Sequence, residues 1–191
     1  VYRDRETMDA EGNRYALYAN IGSPAEAGAA AEAGAEGIGL FRTEFLFMDR
    51  TSAPTEAEQY EAYLAVSRIM AGKEVIIRTL DVGGDKAVDY LGMAHEENPF
   101  LGHRAIRYCL DNPDLYKTQL RALLRAGAEE KNIKVMLPLV TSLEEIRGAR
   151  ALLETCKAEL EAEGLPYHKD IPLGIMVETP AAALIADLLA R

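Results

Sequence analysis

Residues 37–44, GIGLFRTE, decide the fold, because an apolar segment there ends in a full positive charge. Gly37 to Leu40 are typical of a buried parallel strand, which Phe41 continues and Arg42 ends. Charge placed only at the carboxyl end of a strand is how (β/α)₈ barrels mount their active-site groups. Because an unpaired buried guanidinium is costly, we expect Arg42 to meet an anion: Glu44, another side chain, or a substrate phosphate or carboxylate.

The composition limits the classes of protein and partner. The chain has 191 residues, of which 49% are hydrophobic, enough for one sizeable core. A net charge of -10 and a pI near 4.9 argue against nucleic acid and anionic membranes as partners. The sequence has no signal-peptide pattern and no apolar run of about 18 residues, so we expect a cytoplasmic protein without membrane insertion. Cys109 and Cys156 are interpreted as buried hydrophobic residues in a reducing compartment.

Apolar segments and helix-start signals alternate along the chain. Five strands are predicted, at residues 15–21, 37–42, 74–81, 134–140 and 173–178. Helices are predicted to start at capping residues Ser23, Thr55, Asn112, Ser142 and Thr179, with further helical turns at 103–110. This alternation predicts right-handed βαβ units and a parallel sheet in one domain over residues 15–191, preceded by a lead-in segment at 1–14.

A doubly wound sheet would satisfy the same alternation, and the charges at the strand ends favour a barrel instead. Because side chains alternate between faces along a strand, three groups are each expected to share a face. These groups are Ile38, Leu40 and Arg42; Ile76 and Arg78; and Gly174, Met176 and Glu178. We therefore predict an α/β protein of the (β/α)₈ TIM-barrel type, here a fragment of about the first five units, with both arginines and Glu178 converging on the barrel axis.

Other polar groups are interpreted more plainly. The long irregular stretch 82–102 is expected to be functional, but Gly83 to Lys86 resemble a phosphate loop only weakly, and a tight turn is favoured. His95, His103 and His168 are interpreted as surface residues. The acidic helix at 143–163 is interpreted as a solvated face.

Five motifs occur in order with barrel-like spacing. They are GIGLFRTEFLFMDR (37–50), VIIRTLDVGGDK (75–86), NPFLGHRAIR (98–107), MLPLV (136–140) and GIMVETPAA (174–182). Together they closely resemble the phosphoenolpyruvate (PEP)-binding domain of Enzyme I of the bacterial sugar phosphotransferase system, over about residues 15–191. Pyruvate phosphate dikinase and PEP synthase are more distantly similar.

The resemblance implies a phosphotransferase. Enzyme I transfers phosphoryl from PEP to its own histidine, releasing pyruvate, and then to a histidine-containing phosphocarrier protein. By motif position, Arg42 and Arg78 would bind the substrate phosphate, Arg104 would lie near the same anion, and Glu178 would bind Mg²⁺. The acceptor histidine, in an N-terminal domain, and the proton-donor cysteine have no counterpart in this chain. The resemblance also implies a homodimer for the full-length enzyme.

Departures from the family pattern leave alternatives open. The second metal-binding carboxylate of the family, in a G-T-N-D segment, is not found in this sequence, so we expect a fragment that is inactive alone. A fragment of pyruvate phosphate dikinase or PEP synthase is a second interpretation. A non-catalytic module that senses PEP or pyruvate is a third.

Overall fold

The computed structural model describes residues 5–83, 88–93, 96–98 and 100–190. The strands are β1 (Thr7–Met8), β2 (Arg14–Tyr15), β3 (Tyr18–Ile21), β4 (Gly37–Arg42), β5 (Val75–Arg78), β6 (Ile133–Leu137) and β7 (Leu173–Ile175). The helices are α1 (Pro24–Glu32), α2 (Glu56–Ile69), α3 (Ile106–Asp111), α4 (Pro113–Glu130), α5 (Leu143–Ala162), α6 (Pro180–Leu184) and α7 (Ala186–Leu189). Short 3₁₀ helices cover Thr43–Leu46 and Asp89–Leu91.

The main sheet is parallel, and its order distinguishes a barrel from a doubly wound fold. Its five strands run β3-β4-β5-β6-β7, in the same order as along the chain. A doubly wound sheet reverses its strand order at a switch point, whereas right-handed crossovers without reversal place every connecting helix on one face. The predicted α/β fold of successive β/α units is therefore confirmed, as an open sheet with β3 and β7 at its edges.

One face of this sheet is buried beneath the helices. Its residues are Ile38, Phe41, Val75, Ile77, Ile133, Val135 and Leu137, each at most 1% exposed. They pack with apolar residues of α2 and α4 such as Tyr63 and Leu120. The opposite face, with Ile76 and Met136, is only half-buried. That half-open face corresponds to the axis side of a barrel, and its strands lead to the candidate site.

A bulge in β4 changes one of the predicted faces. Ile38 pairs with Val75 and Phe41 pairs with Ile77, so the register shifts between Ile38 and Phe41. Since Val75 and Ile77 point to the same face, Ile38 lies with Phe41 on the helix side. The prediction that Ile38 shares a face with Arg42 is wrong, because the extra residue breaks the two-residue period.

The first strand begins later than predicted, at Tyr18 instead of Tyr15. Tyr15 belongs to β2, which pairs antiparallel with β1 in a small hairpin. Asp9 stabilises the turn of this hairpin by accepting hydrogen bonds from the backbone N–H groups of Glu11 and Asn13. The predicted boundary between residues 14 and 15 falls within β2, and the division into a lead-in segment and a domain stays a prediction.

Two of the predicted capping boxes are present. The side chains of Thr55 and Ser142 accept hydrogen bonds from the backbone N–H groups of Glu58 and Glu145. The carboxylates of these two glutamates in turn accept hydrogen bonds from the backbone N–H groups of Thr55 and Ser142. Ser23 does not cap α1, because its hydroxyl donates to the Glu26 carboxylate at 2.9 Å instead. The signals therefore locate the helix starts correctly even where the cap itself is absent.

Candidate active site

Arg42 and Arg78 are partners in the parallel pairing of β4 and β5. Both side chains therefore leave the sheet on the same face and at the same level, at the carboxyl ends of their strands. Met136 in β6 and Gly174 in β7 lie at the same level, because Arg78 pairs with Met136 and Met136 pairs with Gly174. The expectation that the two arginines share a face is confirmed.

Arg78 is buried and forms two ion pairs. Its Nη2 lies 2.8 Å from Glu44 Oε1 and its Nη1 lies 3.0 Å from Asp81 Oδ2. Arg78, Glu44 and Asp81 are 6%, 1% and 4% exposed. Glu44, one of the anions considered for Arg42, is thus a partner of Arg78 instead.

Arg104 joins the same cluster through Asp81. Its Nη2 and Nε lie 2.7 and 3.1 Å from Asp81 Oδ1, so the aspartate bridges two guanidinium groups. The Arg104 guanidinium also lies 5.2 Å from the ring centroid of Phe100. We call Glu44, Arg78, Asp81 and Arg104 the buried charge network. The structure brings Arg104 next to Arg78 through a carboxylate that sequence reasoning did not single out, and a place for Arg104 near the substrate anion stays a prediction.

Arg42 is held differently from the other two arginines. It is half-buried, and its guanidinium carbon lies 4.8 Å from the ring centroid of Phe45. Within the described ranges no ion pair involves Arg42, and its buried Nε has no hydrogen-bond acceptor. The anion expected beside Arg42 is therefore not supplied by a described residue, and an aromatic ring takes that place.

A buried glutamine of α4 fixes the two strand ends. Gln119 accepts a hydrogen bond from Leu80 N–H at 2.9 Å and donates to the Thr43 hydroxyl at 3.2 Å. Thr43 donates in turn to the backbone carbonyl of Arg78 at 2.8 Å. Sequence reasoning missed Gln119, because a polar residue on a helix gives no sign of being buried. The Arg-Thr dipeptide that recurs at the ends of β4 and β5 is the sequence signal that could have pointed to Thr43.

Glu178 lies at the same edge of the sheet but beyond the end of β7, which stops at Ile175. Its side chain is exposed, and its Oε1 accepts a hydrogen bond from Leu139 N–H at 2.7 Å. In the part of the chain that is described, no ion pair links it to the three arginines, and no group of three His, Cys, Asp or Glu side chains could hold a metal. Convergence of Glu178 with Arg42 and Arg78 stays a prediction.

The remaining polar candidates have ordinary surroundings. His103 is exposed, and its Nε2 lies 2.8 Å from Asp111 Oδ2. His168 is half-buried, and this burial lowers its pKa, so it is only partly the surface residue that was predicted. His95 and residues 84–86 of the loop considered for phosphate lie outside the described residues.

The acidic helix α5 is more than a solvated face. Glu159, and Glu163 directly after the helix, form ion pairs with Arg121 of α4, at 3.4 and 2.7 Å, and Glu145 takes part in the capping box at the helix start. Glu144 and Glu154 are exposed, as predicted. The acidic side chains of this helix therefore divide between solvent and the contact with α4.

The family follows from a comparison with known domains. The family model described as "PEP-utilising enzyme, PEP-binding domain" matches residues 1–191. The chain belongs to this family. No helix in the described part of this PEP-binding domain is long and apolar enough to cross a membrane.

Curated relatives of this PEP-binding domain are phosphoenolpyruvate-protein phosphotransferases. The chain is 53% identical to that of Staphylococcus carnosus over 189 residues, 48% identical to that of Priestia megaterium over 188, and 50% identical to that of Staphylococcus aureus over 189. Each match covers at least 98% of this chain and 33% of the relative. The chain thus spans about a third of the length of these relatives. A crystal structure of 2,3-dimethylmalate lyase aligns at a TM-score of 0.34 and 13% identity, covering 91% of this chain and 78% of that one, and supports no conclusion.

Proposed function

We propose that this domain binds PEP at the carboxyl ends of β4 and β5 and serves phosphoryl transfer from PEP to a protein histidine, with release of pyruvate. The observation that carries the proposal is the register pairing of Arg42 with Arg78, which places two arginines next to each other on one face at the same rim. The names of the similar proteins favour a PEP–protein phosphotransferase over pyruvate phosphate dikinase or PEP synthase. The domain would be the substrate-binding portion of such an enzyme and inactive alone.

The proposed substrate contacts divide between two kinds of arginine. Arg42 has no ion pair in the described residues and would attract the phosphate. Arg78 and Arg104 are held by carboxylates, which fix the directions from which their guanidinium groups would meet the substrate. Phosphoryl transfer through a loose transition state needs charge neutralisation and alignment more than covalent help, which suits this set of residues.

Glu178 fits a role as one ligand of Mg²⁺. This ion binds through one or two carboxylates together with water and substrate oxygens, so a single protein carboxylate is compatible with it. Leu139 N–H fixes one oxygen of Glu178, and the other has no hydrogen bond among the described residues. PEP and water would supply the other ligands. When bound, the metal would neutralise charge on the enolate as pyruvate leaves.

The proposed partners belong to the longer enzyme. They are an N-terminal phosphohistidine domain, a histidine-containing phosphocarrier protein and a second copy in a homodimer, all in the cytoplasm. The length of the relatives, about three times that of this chain, is consistent with a further domain that carries the acceptor histidine.

Calorimetric titration of the intact protein with PEP tests the site. Arg42→Ala and Arg78→Ala should each weaken binding by about 1.5–3 kcal/mol, the usual contribution of a hydrogen bond to a charged group. Arg68→Ala is the matched control, because Arg68 forms an exposed surface pair with Glu129. Unchanged affinity in both rim variants, each shown to be folded, would refute the proposal.

A further inference from the structure

Arg42 needs an explanation for its orientation. An arginine side chain has several rotatable bonds and about 2 kcal/mol of rotamer entropy, so it stays in one orientation only where something fixes it. In Arg78 and Arg104 this is done by Glu44 and Asp81. In Arg42 no described acceptor does so, and its guanidinium stacks on Phe45 at 4.8 Å, within the roughly 6 Å range of a cation–π contact.

Phe45 projects from a turn that is itself fixed. The 3₁₀ turn Thr43–Leu46 follows β4 directly. Its first residue donates a hydrogen bond to the Arg78 carbonyl, and Glu44 is ion-paired with the Arg78 side chain. Phe45 is 46% exposed, whereas Phe47 in the same segment is fully buried. Packing in the core therefore does not account for the aromatic ring at position 45.

Gly22 leaves the space that this stack occupies. A Cβ atom at Gly22 would lie 2.8 Å from Cδ2 and 3.0 Å from Cε2 of Phe45, and 3.5 Å from Nη2 of Arg42. Its φ angle is not in the left-handed region, so the backbone itself accepts another residue there. The absence of a side chain at the end of β3 is thus explained by the ring and guanidinium that lie against it.

We propose that Phe45 is a positioning residue for substrate binding: it orients Arg42 at the rim through a cation–π stack, in the space left by Gly22. This inference rests on the proposed function. An aromatic ring orients the guanidinium without neutralising it, whereas a carboxylate does both. The full charge of Arg42 is therefore offered to the phosphate of PEP, and no anionic side chain among the described residues has to be displaced for it to bind.

Conservative substitution in the intact protein tests the role of the ring. Phe45→Leu keeps apolar bulk but removes the π face, and should raise the Kd for PEP about three- to tenfold by calorimetry. Phe45→Trp keeps the π face and should stay within about twofold of the parent. Phe100→Leu is the matched control: it removes the ring beside Arg104, which Asp81 still holds, and should also stay within about twofold. Equal losses in Phe45→Leu and Phe45→Trp, or in Phe45→Leu and Phe100→Leu, would overturn the inference.

A double-mutant cycle separates positioning from general packing. If Phe45 acts through Arg42, Phe45→Leu should have no further effect on PEP binding in an Arg42→Ala background. Gly22→Ala, whose methyl group displaces the Phe45 ring, should weaken PEP binding as much as Phe45→Leu does. If Phe45→Leu proves to be less stable than the parent, Gly22→Ala takes its place in the test. Additive losses of PEP affinity in the cycle would overturn the role of Phe45 but not the proposed function. Parent-like PEP binding by Arg42→Ala would instead refute the proposed function.

Discussion

The guanidinium of Arg78 and the carboxylate of Glu44 meet at 2.8 Å in a place where both side chains are buried. The two residues follow different strands of the sheet, so this pair ties the end of β5 to the turn after β4. A buried ion pair offsets its desolvation only when each charge keeps its partners. Loss of Glu44 would leave Arg78 to share Asp81 with Arg104, so that one carboxylate would face two buried guanidinium groups.

Glu44→Gln should therefore lower the free energy of unfolding by about 3 kcal/mol, because it leaves Arg78 with one carboxylate fewer. Urea denaturation measures this loss. Glu129→Gln is the matched control: its ion pair with Arg68 has a similar length, 2.7 Å, but is about half exposed, and its loss should be at most about 1 kcal/mol. Similar losses for the two variants would show that burial does not govern the pair.

Thr55→Ala should destabilise the protein by about 1 kcal/mol, because Thr55 accepts the hydrogen bond from Glu58 N–H at the start of α2. Ser23→Ala should have a smaller effect, since Ser23 makes no capping hydrogen bond. Thermal unfolding of both variants compares them. A loss in Ser23→Ala as large as that in Thr55→Ala would contradict this account of the caps.

The free energy of unfolding should fall in acid because the Glu58 carboxylate becomes protonated. Its hydrogen bond from Arg50, followed by those from Thr55, lowers its pKa from 4.5 to about 2. A carboxylate whose folded pKa is depressed contributes stability above its unfolded pKa, and this is lost as the pH falls from about 4.5 towards 2. Glu58→Gln should flatten the dependence of the urea midpoint on pH in this window. An unchanged slope would place the acid sensitivity elsewhere.

Cys109 and Cys156 should not react in the native protein. Both thiols are free and buried, and burial raises the pKa of Cys109 and that of Cys156, the latter to about 12. Since the thiolate is the reactive form, a thiol reagent at pH 8 should label them only as fast as the protein unfolds. Rapid labelling without urea would contradict their burial.

If Glu178 binds Mg²⁺ as proposed, Glu178→Gln should raise the Mg²⁺ concentration needed for half-maximal phosphoryl transfer by the intact protein, because a neutral amide is a weaker ligand for this ion. A metal titration of activity measures the shift. Glu144→Gln, which changes an exposed carboxylate on α5, is the control and should behave like the parent. The same half-maximal Mg²⁺ concentration in both variants would show that Glu178 is not a ligand of the metal.

Much of the architecture could be predicted because it depends on local patterns. The apolar segments that end in charge at Arg42 and Arg78 correspond to neighbouring parallel strands, and the capping boxes at Thr55 and Ser142 mark real helix starts. The bulge in β4 could not be predicted, because it depends on the register with β5. The hairpin at residues 7–15 was missed because its two strands are only two residues long.

By itself, the sequence determined the order of the five parallel strands and their helices, the family, and the two arginines at one rim. These follow from hydrophobic periodicity, capping and motif order, which act over a few residues. Only the tertiary structure decided how each arginine is held: Arg78 and Arg104 by Glu44 and Asp81, and Arg42 by Phe45. The physical reason is that a buried charge takes its partner from whichever side chain the packed strand ends bring within about 3 Å, and that proximity depends on the register and turns of the whole sheet.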